Sequence, residues 1–523
     1  MQRSTRQISR VLALACVAGL ACVASAQGTR GPSSSQDPYL VSVPGGPAIQ
    51  AYSILTSGDT IGGYRFEGIP DGVGAYSNGD GTMTVLVNHE LGATQGIARA
   101  HGGTGSFVSR LVVSTTPGPN FLQVLSGRDL NDSYVTNTAG AGTLNTINRL
   151  CSGDLPSQSA FFNSATGLGT NSRILLNGEE SGSNGRVFAN VIDANGANTG
   201  VGYQLNAFDG LGAWENILAN PSTGNNTFLV ATSDGARNGV YAYLGTKSNS
   251  GSAIDRAGLT GGTTYSIEVR VDGNTIGSES RDFGFNANGS TRLSADFALT
   301  PVTRNASGAV TGGNTATSFL RPEDGAWDES NPNDFYFVTT DRYDQVKDGV
   351  GNQTGRSRLY RMRYTDINNP TLGGTVEALL DGTEQQQMLD NICVVPGTDG
   401  HTRILAVEDV GNNAHNGKLW MYDATTDELT LVAAHFASNG DLGQAATAPF
   451  TQDEEFSGII DARDTLGLGW FLLVDQQHSS AGLPAGQVER GQLIAFYLPS
   501  AIPTPGALGL MGVAGLVALR RRR

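Results

Sequence analysis

Lysine is almost absent from this sequence of 523 residues, since it occurs only at Lys247, Lys347 and Lys418. Charged residues of all kinds make up 15% of the chain and aromatic residues 7%. The alternating charges on the exposed faces of helical bundles and coiled coils cannot be assembled from so few. Glycine, in contrast, occurs 71 times, close to twice its usual share of about 7%. A chain so poor in helix formers and so rich in turn residues is predicted to be all-β.

Cysteine is scarce as well, with four residues in the whole chain. Cys16 and Cys22 lie in an apolar segment near the N-terminus, which leaves Cys151 and Cys393 for the folded domain. A disulfide framework is therefore excluded. The two remaining cysteines could still pair in an oxidising compartment. Against this, Cys393 lies in the apolar run 392–395, which predicts a buried core residue.

Residues 1–26 have the composition of a secretory signal peptide. Arg3, Arg6 and Arg10 precede a long apolar run that ends in the small residues Ala24-Ser25-Ala26. A basic start, an apolar middle and a small-residue cleavage site are the three parts of such a signal. The sequence therefore predicts an exported protein.

Residues 500–523 form a second candidate targeting segment. Pro503-Thr504-Pro505 is followed by fourteen small and apolar residues and then by Arg520-Arg521-Arg522-Arg523. The apolar stretch is shorter than the roughly 20 residues that span a bilayer. This tail resembles the PEP-CTERM sorting signal of Gram-negative bacteria, which implies a cell-surface or extracellular location and contact with sorting machinery and membrane only through the tail. A plain C-terminal membrane anchor is the alternative.

The charge balance of the domain is strongly acidic once both end segments are set aside. The two segments contain seven arginines and no acids, so 26 basic residues remain against 48 acidic ones, a net charge of −22. Nucleic acid and anionic membranes are poor partners for such a surface. An anionic ligand can bind only where metal ions and a few arginines reverse the local sign.

Six short β-patterned runs end in a polar cluster that contains an acid. These clusters are Asn88-His89-Glu90, Glu179-Glu180, Ser233-Asp234, Thr340-Asp341, Glu408-Asp409 and Asp475-Gln476-Gln477-His478. In five of the six units another acid lies 18 to 20 residues before an acid of the cluster, and these earlier acids are Asp71, Glu215, Glu323, Asp390 and Glu455. Cys151 takes this place in the second unit, 29 residues before Glu180.

This repeat predicts a six-bladed β-propeller over residues 27–499, with an inserted β-rich segment at about residues 246–318 between blades three and four. In a propeller the loops of successive blades meet at one end of the central channel, so the repeated acids would converge there. Converging carboxylates stay ionised only when cations neutralise them, which predicts a site for several metal ions. Taken alone, any one of these acids is also an ordinary turn residue. We expect a monomer.

The motifs in their order resemble those of the PhoX-type alkaline phosphatase family, a group of secreted metal-dependent propellers. The resemblance runs with gaps from about Ile69 to His478 and leaves out the insertion. Its matching segments are 87–90, 151–153, 179–180, 321–324, 390–391, 408–409, 455–458 and 477–478.

The resemblance implies a phosphatase that hydrolyses phosphate monoesters at a cluster of Fe³⁺ and Ca²⁺ on the propeller axis, with a small phosphate ester as substrate. It implies metal ligands at Glu90, Cys151, Glu180, Glu215, Glu323 and Glu408. A soft thiolate suits iron, and hard carboxylates suit Ca²⁺. Arg321 is the candidate catalytic residue, as a two-pronged donor to a phosphoryl oxygen, or else a structural residue that fixes a loop through Glu323.

Five further residues are expected to contact the metal ligands rather than the metal ions, namely His89, Glu179, Asp390, Asn391 and His478. His89 and His478 could bind metal, orient a ligand or only complete a turn. Four other histidines lie outside the repeat and are expected at the surface, namely His101, His401, His415 and His435. Two other functions stay open: a non-catalytic, Ca²⁺-stabilised propeller of the cell surface or matrix, and a phytase-like or lactonase-like metal hydrolase.

Overall fold

The computed structural model describes residues 28–136, 142–192, 198–235, 238–278, 283, 292–340, 357–411, 415–437 and 446–501. The expected signal peptide and most of the C-terminal tail lie outside the described residues, and so does Asp341 of the fourth run. Nearly all regular structure in the described part of the chain is β-strand.

Six sheets, each built on four antiparallel strands, can be traced among the described residues, and the strands of each are given from the innermost outward. Sheet 1 contains Pro70–Ser77, Thr82–His89, Phe107–Ser114 and Val124–Asp129. Sheet 2 contains Leu150–Asp154, Arg173–Glu179, Val187–Ile192 and Asn198–Gln204, extended by Ser133–Val135 and Thr143–Leu144. Sheet 3 contains Trp214–Ala219, Asn226–Ser233, Val240–Thr246 and Thr263–Val271.

Sheets 4 to 6 follow the same plan. Sheet 4 contains Pro322–Trp327, Asp334–Thr339, Arg358–Tyr364 and Gly374–Leu380. Sheet 5 contains Leu389–Pro396, Thr402–Glu408, Lys418–Asp423 and Glu428–His435, with Leu40–Ser42 at its edge. Sheet 6 contains Glu455–Asp461, Trp470–Gln477, Arg490–Tyr497 and Gln50–Thr56, with Thr29–Arg30 at its edge.

The remaining described elements are short. The small strand pairs are Thr60–Ile61 with Tyr64–Arg65, Phe162–Asn163 with Leu168–Gly169, and Thr303–Arg304 with Val310–Gly312, while Asn274–Thr275 pairs with the end of Thr263–Val271. The α-helices are Ala253–Arg256 and Arg463–Leu466. The 3₁₀ helices are Gln158–Ala160, Asn206–Phe208, Pro370–Leu372 and Pro499–Ala501.

The six innermost strands form a closed ring, because each contacts the innermost strand of the next sheet and that of sheet 6 contacts that of sheet 1. Radial sheets around a common axis are the arrangement of a β-propeller, and the all-β propeller expected from the sequence is confirmed. A strand near the N-terminal end of the described residues completes the last sheet of the ring. Gln50–Thr56 pairs with Arg490–Tyr497, so sheet 6 is built from both ends of the domain.

Sheets 3 and 4 are joined at their outer edges by an added strand. Ser294–Pro301 pairs with Thr263–Val271 on one side and with Gly374–Leu380 on the other. The result is one continuous sheet of ten strands. The segment that the sequence marks as an insertion, at about 246–318, supplies three of these strands, namely Thr263–Val271, Asn274–Thr275 and Ser294–Pro301.

The hydrophobic core is divided into layers that lie between neighbouring sheets. Between sheets 5 and 6, for example, Leu419 packs with Phe471, Leu473, Ile494 and Phe496. Strand residues of one parity face one neighbouring sheet and residues of the other parity face the opposite one, so most strands are buried on both faces. Full burial of one such side chain contributes about 1.5–3 kcal/mol. These layers fix the ends of the sheets, where the candidate site lies.

In the part of the chain that the structure describes, no helix has the length and apolar character needed to cross a membrane.

Candidate metal centre

Each sheet carries two residues at the same end of its first hairpin. In sheet 1, Pro70 pairs with His89, so Asp71 lies near the start of the innermost strand and Glu90 directly follows the second strand. The other sheets repeat this register. The residues near the start of the innermost strands, called the inner ring, are Asp71, Cys151, Glu215, Glu323, Asp390 and Glu455. The residues that directly follow the second strands, called the outer ring, are Glu90, Glu180, Asp234, Thr340, Asp409 and His478.

A repeated backbone feature holds the two rings together. The residue two positions before the inner-ring residue has a left-handed conformation in four sheets, and these residues are Ile69 (φ 49°), Arg149 (φ 45°), Arg321 (φ 59°) and Met388 (φ 47°). Their carbonyl oxygens accept the N–H groups of Glu90, Glu180, Thr340 and Asp409, at 2.8, 2.9, 3.1 and 3.0 Å. Residues other than glycine seldom adopt a left-handed backbone conformation unless the surrounding structure enforces it. Here the enforced turn sets an outer-ring residue beside an inner-ring one.

Three groups of ring residues present ligand atoms that all lie within 4.8 Å of one another. The groups are Asp71 with Glu90 and Cys151, Cys151 with Glu180 and Glu215, and Glu215 with Glu323 and Asp390. Cys151 and Glu215 each belong to two groups, so the three groups form one chain of potential ligands. Five of the six ligands expected from the sequence are thus brought together, from positions as far apart as 90 and 323.

The acids of this cluster cannot all be ionised without added positive charge. Burial, and after it the neighbouring carboxylates, raise the pKa of Glu180 to about 7 and that of Glu215 to about 8. The same two causes raise the pKa of Asp71, Glu323 and Asp390 well above the usual range. Bound cations would reverse these shifts, because they stabilise the charged carboxylates.

The cysteine of the cluster is a free thiol. Cys151 and Cys393 are both buried and unpaired, so the alternative disulfide between them is not formed. Burial, followed by Glu215 and Glu90, raises the pKa of Cys151 well above its usual value. Its Sγ lies 3.4 Å from Oε2 of Glu180.

Two arginines lie beside the rings. Arg321 donates from Nε and Nη2 to Oδ2 of Asp234 at 3.0 and 2.7 Å, and its Nη2 is 3.4 Å from Oε1 of Glu323. Arg149 donates from Nε to Oε1 of Glu90 at 2.8 Å and forms an ion pair with Glu180.

The side chains of these arginines are partly exposed, 36% for Arg321 and 48% for Arg149. They are the positive groups through which an anion can approach this acidic end of the molecule.

A set of hydrogen bonds below the cluster fixes the innermost strands. Asn391 donates from Nδ2 to Ser152 Oγ at 2.6 Å, and Ser152 donates to Oε1 of Glu215 at 2.7 Å. Ser457 Oγ lies 2.7 Å from Oδ1 of Asp71 and 3.0 Å from Oδ1 of Asn391. The structure thus places Asn391 directly behind two ring carboxylates.

Glu408, the sixth expected ligand, does not join the cluster. It is fully buried inside sheet 5, where Trp420 Nε1 donates to its Oε1 at 2.7 Å and His415 Nε2 lies 2.9 Å from its Oε2. The neighbouring Asp409 follows the strand and takes the outer-ring position. Alternate residues of a strand point to opposite faces, so the choice between two adjacent acids decides which of them reaches the ring.

Two of the residues expected behind the ligands also lie within their sheets. His89 is 3.0 Å from the carbonyl of Gly68 and 2.7 Å from Ser109 Oγ, and burial lowers its pKa to about 3. Glu179 is bound by Arg186, whose Nε donates to it at 2.5 Å. His89 and Glu179 each directly precede an outer-ring residue, just as Glu408 directly precedes Asp409 in sheet 5.

Asp390 and His478, the other two, are themselves ring residues. Asp390 shares a potential ligand group with Glu215 and Glu323. His478 is the outer-ring residue of sheet 6, and its Nδ1 lies 2.8 Å from Oε2 of Glu489 while its Nε2 lies 3.6 Å from Oε2 of Glu455.

Asp475, which the sequence pattern aligned with the outer-ring acids, lies elsewhere. It is three residues before the ring position and points between sheets 5 and 6. The surface position expected for the remaining histidines is wrong for three of them, since His101, His415 and His435 are buried.

Several residues of the site were missed as candidates in the sequence. Arg149 stands two positions before Cys151, just as Arg321 stands two positions before Glu323, and this shared offset is the signal that could have found it. Asp71, Asp234 and Asp409 belong to the repeat but were not proposed as ligands. Gln476 belongs to the sixth polar cluster of the sequence without being a candidate, and its Nε2 donates to Asp71 and Glu90 at 3.3 and 3.2 Å.

No protein-family model and no curated protein matches this sequence. Among solved structures, the chain is similar to Pseudomonas fluorescens PhoX in complex with vanadate, a transition state analogue. The identity is 12%, the match covers 91% of this chain and 99% of the PhoX chain, and the TM-score is 0.60. At this identity the likeness shows a common fold.

Two further solved structures match with lower TM-scores. They are the PQQ-bound form of aldose sugar dehydrogenase from Streptomyces coelicolor (11% identity, 87% of this chain and 99% of that chain, TM-score 0.36) and an α-L-arabinofuranosidase from Fusarium graminearum with an iminosugar inhibitor (8% identity, 83% and 95%, TM-score 0.40).

Proposed function

We propose that this protein is a metal-dependent phosphatase that hydrolyses small phosphate monoesters at the two rings. The observation that carries the proposal is the placement of Arg149 and Arg321 at equivalent positions beside a cluster of potential metal ligands. The fold shared with a PhoX structure that was solved with vanadate supports the same class of reaction.

The residues of the cluster fit the metals implied by the resemblance. A single thiol, Cys151, lies among carboxylates, and its position in two ligand groups gives an iron ion a soft donor. The carboxylates of Glu215, Glu323 and Asp390 offer the oxygen donors that Ca²⁺ prefers. The raised pKa values in the metal-free protein agree with a site made for positive ions. When bound, Fe³⁺ and Ca²⁺ would offset the negative charge that develops on the phosphoryl oxygens.

The arginines would bind and orient the ester. Each guanidinium is held by carboxylates while its side chain is partly exposed, so it could donate a further hydrogen bond to a phosphoryl oxygen. A planar two-pronged donor fixes the direction of the P–O bonds as well as their position. The buried residues Ser152 and Asn391 keep the ring carboxylates in place during this approach.

Hydrolysis of an aryl phosphate by the metal-loaded protein tests the proposal. We expect turnover that chelation abolishes and that Arg321→Ala lowers about 10- to 100-fold, since a hydrogen bond to a charged group contributes about 1.5–3 kcal/mol. Arg363→Ala is the matched control, because Arg363 forms an ion pair with Asp334 at the outer part of sheet 4. Absence of turnover on monoesters at full metal occupancy would overturn the proposal.

A second candidate is a non-catalytic propeller that uses Ca²⁺ to stabilise its axis. The observation that favours it is that Arg321 already bonds Asp234 and lies near Glu323, as a purely structural arginine would. On this alternative the protein retains calcium without iron. Chelation then lowers its thermal unfolding midpoint, and the protein hydrolyses no phosphate ester with or without metal.

We also propose that the protein is exported to the cell surface or beyond and acts as a monomer. These proposals come from the end segments and the composition of the sequence. A fractionation experiment with an antibody against the domain, in cells that carry the full chain or a chain without residues 500–523, tests the role of the tail.

A further inference from the structure

A group of polar side chains without hydrogen-bond partners is buried between sheets 5 and 6, apart from the rings. Asp475 and His435 are 0% exposed and Gln477 is 1% exposed. Within the part of the chain that the structure describes, both carboxylate oxygens of Asp475, Nε2 of His435 and both amide atoms of Gln477 have no hydrogen-bond partner. Native proteins rarely leave such atoms unsatisfied, so their number in one place indicates a missing partner.

These side chains face a common space. Nε2 of His435, at the end of the fourth strand of sheet 5, lies 3.4 Å from Oδ1 of Asp475. Asp475 and Gln477 are two residues apart on the same strand of sheet 6, so their side chains project from the same face, towards sheet 5.

The fold does not require an acid at position 475. The register-equivalent residues of sheets 1 to 5 are Val87, Asn177, Ala231, Phe337 and Ala406. None of these can carry a charge, and the layer between the sheets is apolar farther along the same strand, at Phe471 and Leu473. Asp475 is therefore an exception that needs a chemical reason.

His435 supports the carboxylate and is not itself suited to bind a metal ion. The N–H of Ala437 donates to Nδ1 of His435 at 3.1 Å, so Nδ1 is an acceptor. The neutral ring then carries its hydrogen on Nε2, which lies 3.4 Å from Oδ1 of Asp475. The ring is held in this orientation by Tyr39 and Phe450, with centroids 5.7 and 5.6 Å away. The free ligands at this place are consequently oxygen atoms.

A second buried acid lies near this place. Asp475 and the neighbouring Glu454 are both fully buried. The nearby base His478 is already engaged by Glu455 and Glu489. Two buried carboxyl groups therefore share a region in which a doubly charged cation would balance both.

We propose that Asp475 and Gln477 hold a Ca²⁺ ion between sheets 5 and 6, at a site separate from the two rings. Both oxygens of Asp475 and the amide oxygen of Gln477 are the protein ligands, and water completes the six to eight oxygens that Ca²⁺ takes. Nε2 of His435, 3.4 Å from Oδ1 of Asp475, faces the carboxylate and favours its charged form. Because sheet 6 is the sheet in which both ends of the domain pair, the ion stabilises the closure of the ring. The proposal does not depend on phosphatase activity.

The test compares the wild-type protein with Asp475→Asn, both loaded with calcium and iron. We expect Asp475→Asn to retain one Ca²⁺ fewer per molecule by atomic emission, to keep its iron, and to lose part of the rise in thermal unfolding midpoint that Ca²⁺ produces. Gln477→Met, which keeps the size of the side chain and removes the amide oxygen, should lower the affinity of one calcium equivalent at least tenfold.

The matched control is Asp334→Asn, which removes a buried acid that is already paired with Arg363 in sheet 4. We expect this variant to be less stable by the same amount with calcium and with chelator, and to keep all of its calcium. If Asp475→Asn binds as much calcium as the wild type and responds to it equally, the proposal fails. That result would leave the proposed phosphatase function untouched.

Discussion

Arg149 and Arg321 occupy the same position in two different sheets. Each stands two residues before an inner-ring residue, has a left-handed backbone conformation (φ 45° and 59°) and accepts an outer-ring N–H at its carbonyl. Sheets 1 and 5 have Ile69 and Met388 at this position, with the same backbone. The turn is therefore a property of the repeat. Of these four sheets, sheets 2 and 4 have a positively charged residue at this position.

The first prediction concerns Arg149. Arg149→Ala should lower kcat/KM for an aryl phosphate about 10- to 100-fold, because a charge-assisted hydrogen bond of about 1.5–3 kcal/mol is lost. Arg149→Lys should recover only part of this, since lysine keeps the charge but not the planar fork. Met388→Leu, at the equivalent position of sheet 5, is the control and should leave hydrolysis unchanged. Full activity in Arg149→Ala would exclude this arginine from the site.

The second prediction concerns the thiol. Cys151→Ala should lose iron and the visible absorption of a thiolate–iron bond, because no other sulfur belongs to the potential ligand groups found in the described residues. Cys393→Ala should keep both, since Cys393 packs in the layer between sheets 5 and 6. Iron content and an absorption spectrum check the prediction, and an unchanged spectrum in Cys151→Ala would contradict it.

The third prediction separates two adjacent acids. Glu408→Gln should destabilise the fold by about 1–3 kcal/mol and leave metal content unchanged, because its carboxylate serves buried partners such as Trp420 and His415. Asp409→Asn should weaken metal binding with little effect on the free energy of unfolding. Urea unfolding and metal titration of the two variants provide the comparison. Loss of metal in Glu408→Gln with no loss of stability would show that the strand register is different.

The fourth prediction is a pH dependence of the metal-free protein. The folded-state pKa values of about 7 for Glu180 and about 8 for Glu215 lie above the ordinary value of 4.5, so the folded state binds more protons than the unfolded state between about pH 4.5 and 8. The stability of the chelated protein should therefore fall as the pH rises through this range.

Thermal unfolding at several pH values, with and without metal, measures this effect. Glu215→Gln should flatten the pH profile of the chelated protein, because glutamine stays neutral at every pH. Bound metal should remove the decline, since cations stabilise the ionised carboxylates. A chelated protein as stable at pH 8 as at pH 5 would show that these acids are not buried together.

The sequence pattern does not identify which residue of a polar cluster takes the outer-ring position. The sequence offers the acid Asp475 as the end of the run, whereas the structure gives the ring position to His478. In sheet 5 the family resemblance implies Glu408 as the ligand, whereas Asp409 holds the ring position. A shift of one residue turns a strand side chain to the opposite face, and a run that ends in several polar residues does not say which of them is last in the strand.

The sequence by itself determined the all-β fold, the repeat of acid-flanked hairpins and the acidic character of the molecule, because composition and period-two patterning are local properties of the chain. Five expected ligands followed from the repeat and the family resemblance together, and the structure brings them to one cluster. The tertiary structure alone decided which acids enter the rings, that Arg149 faces Glu90 and Glu180, and that Asp475 is buried beside His435. These facts depend on strand register and on contacts between residues tens to hundreds of positions apart, and no local pattern records such contacts.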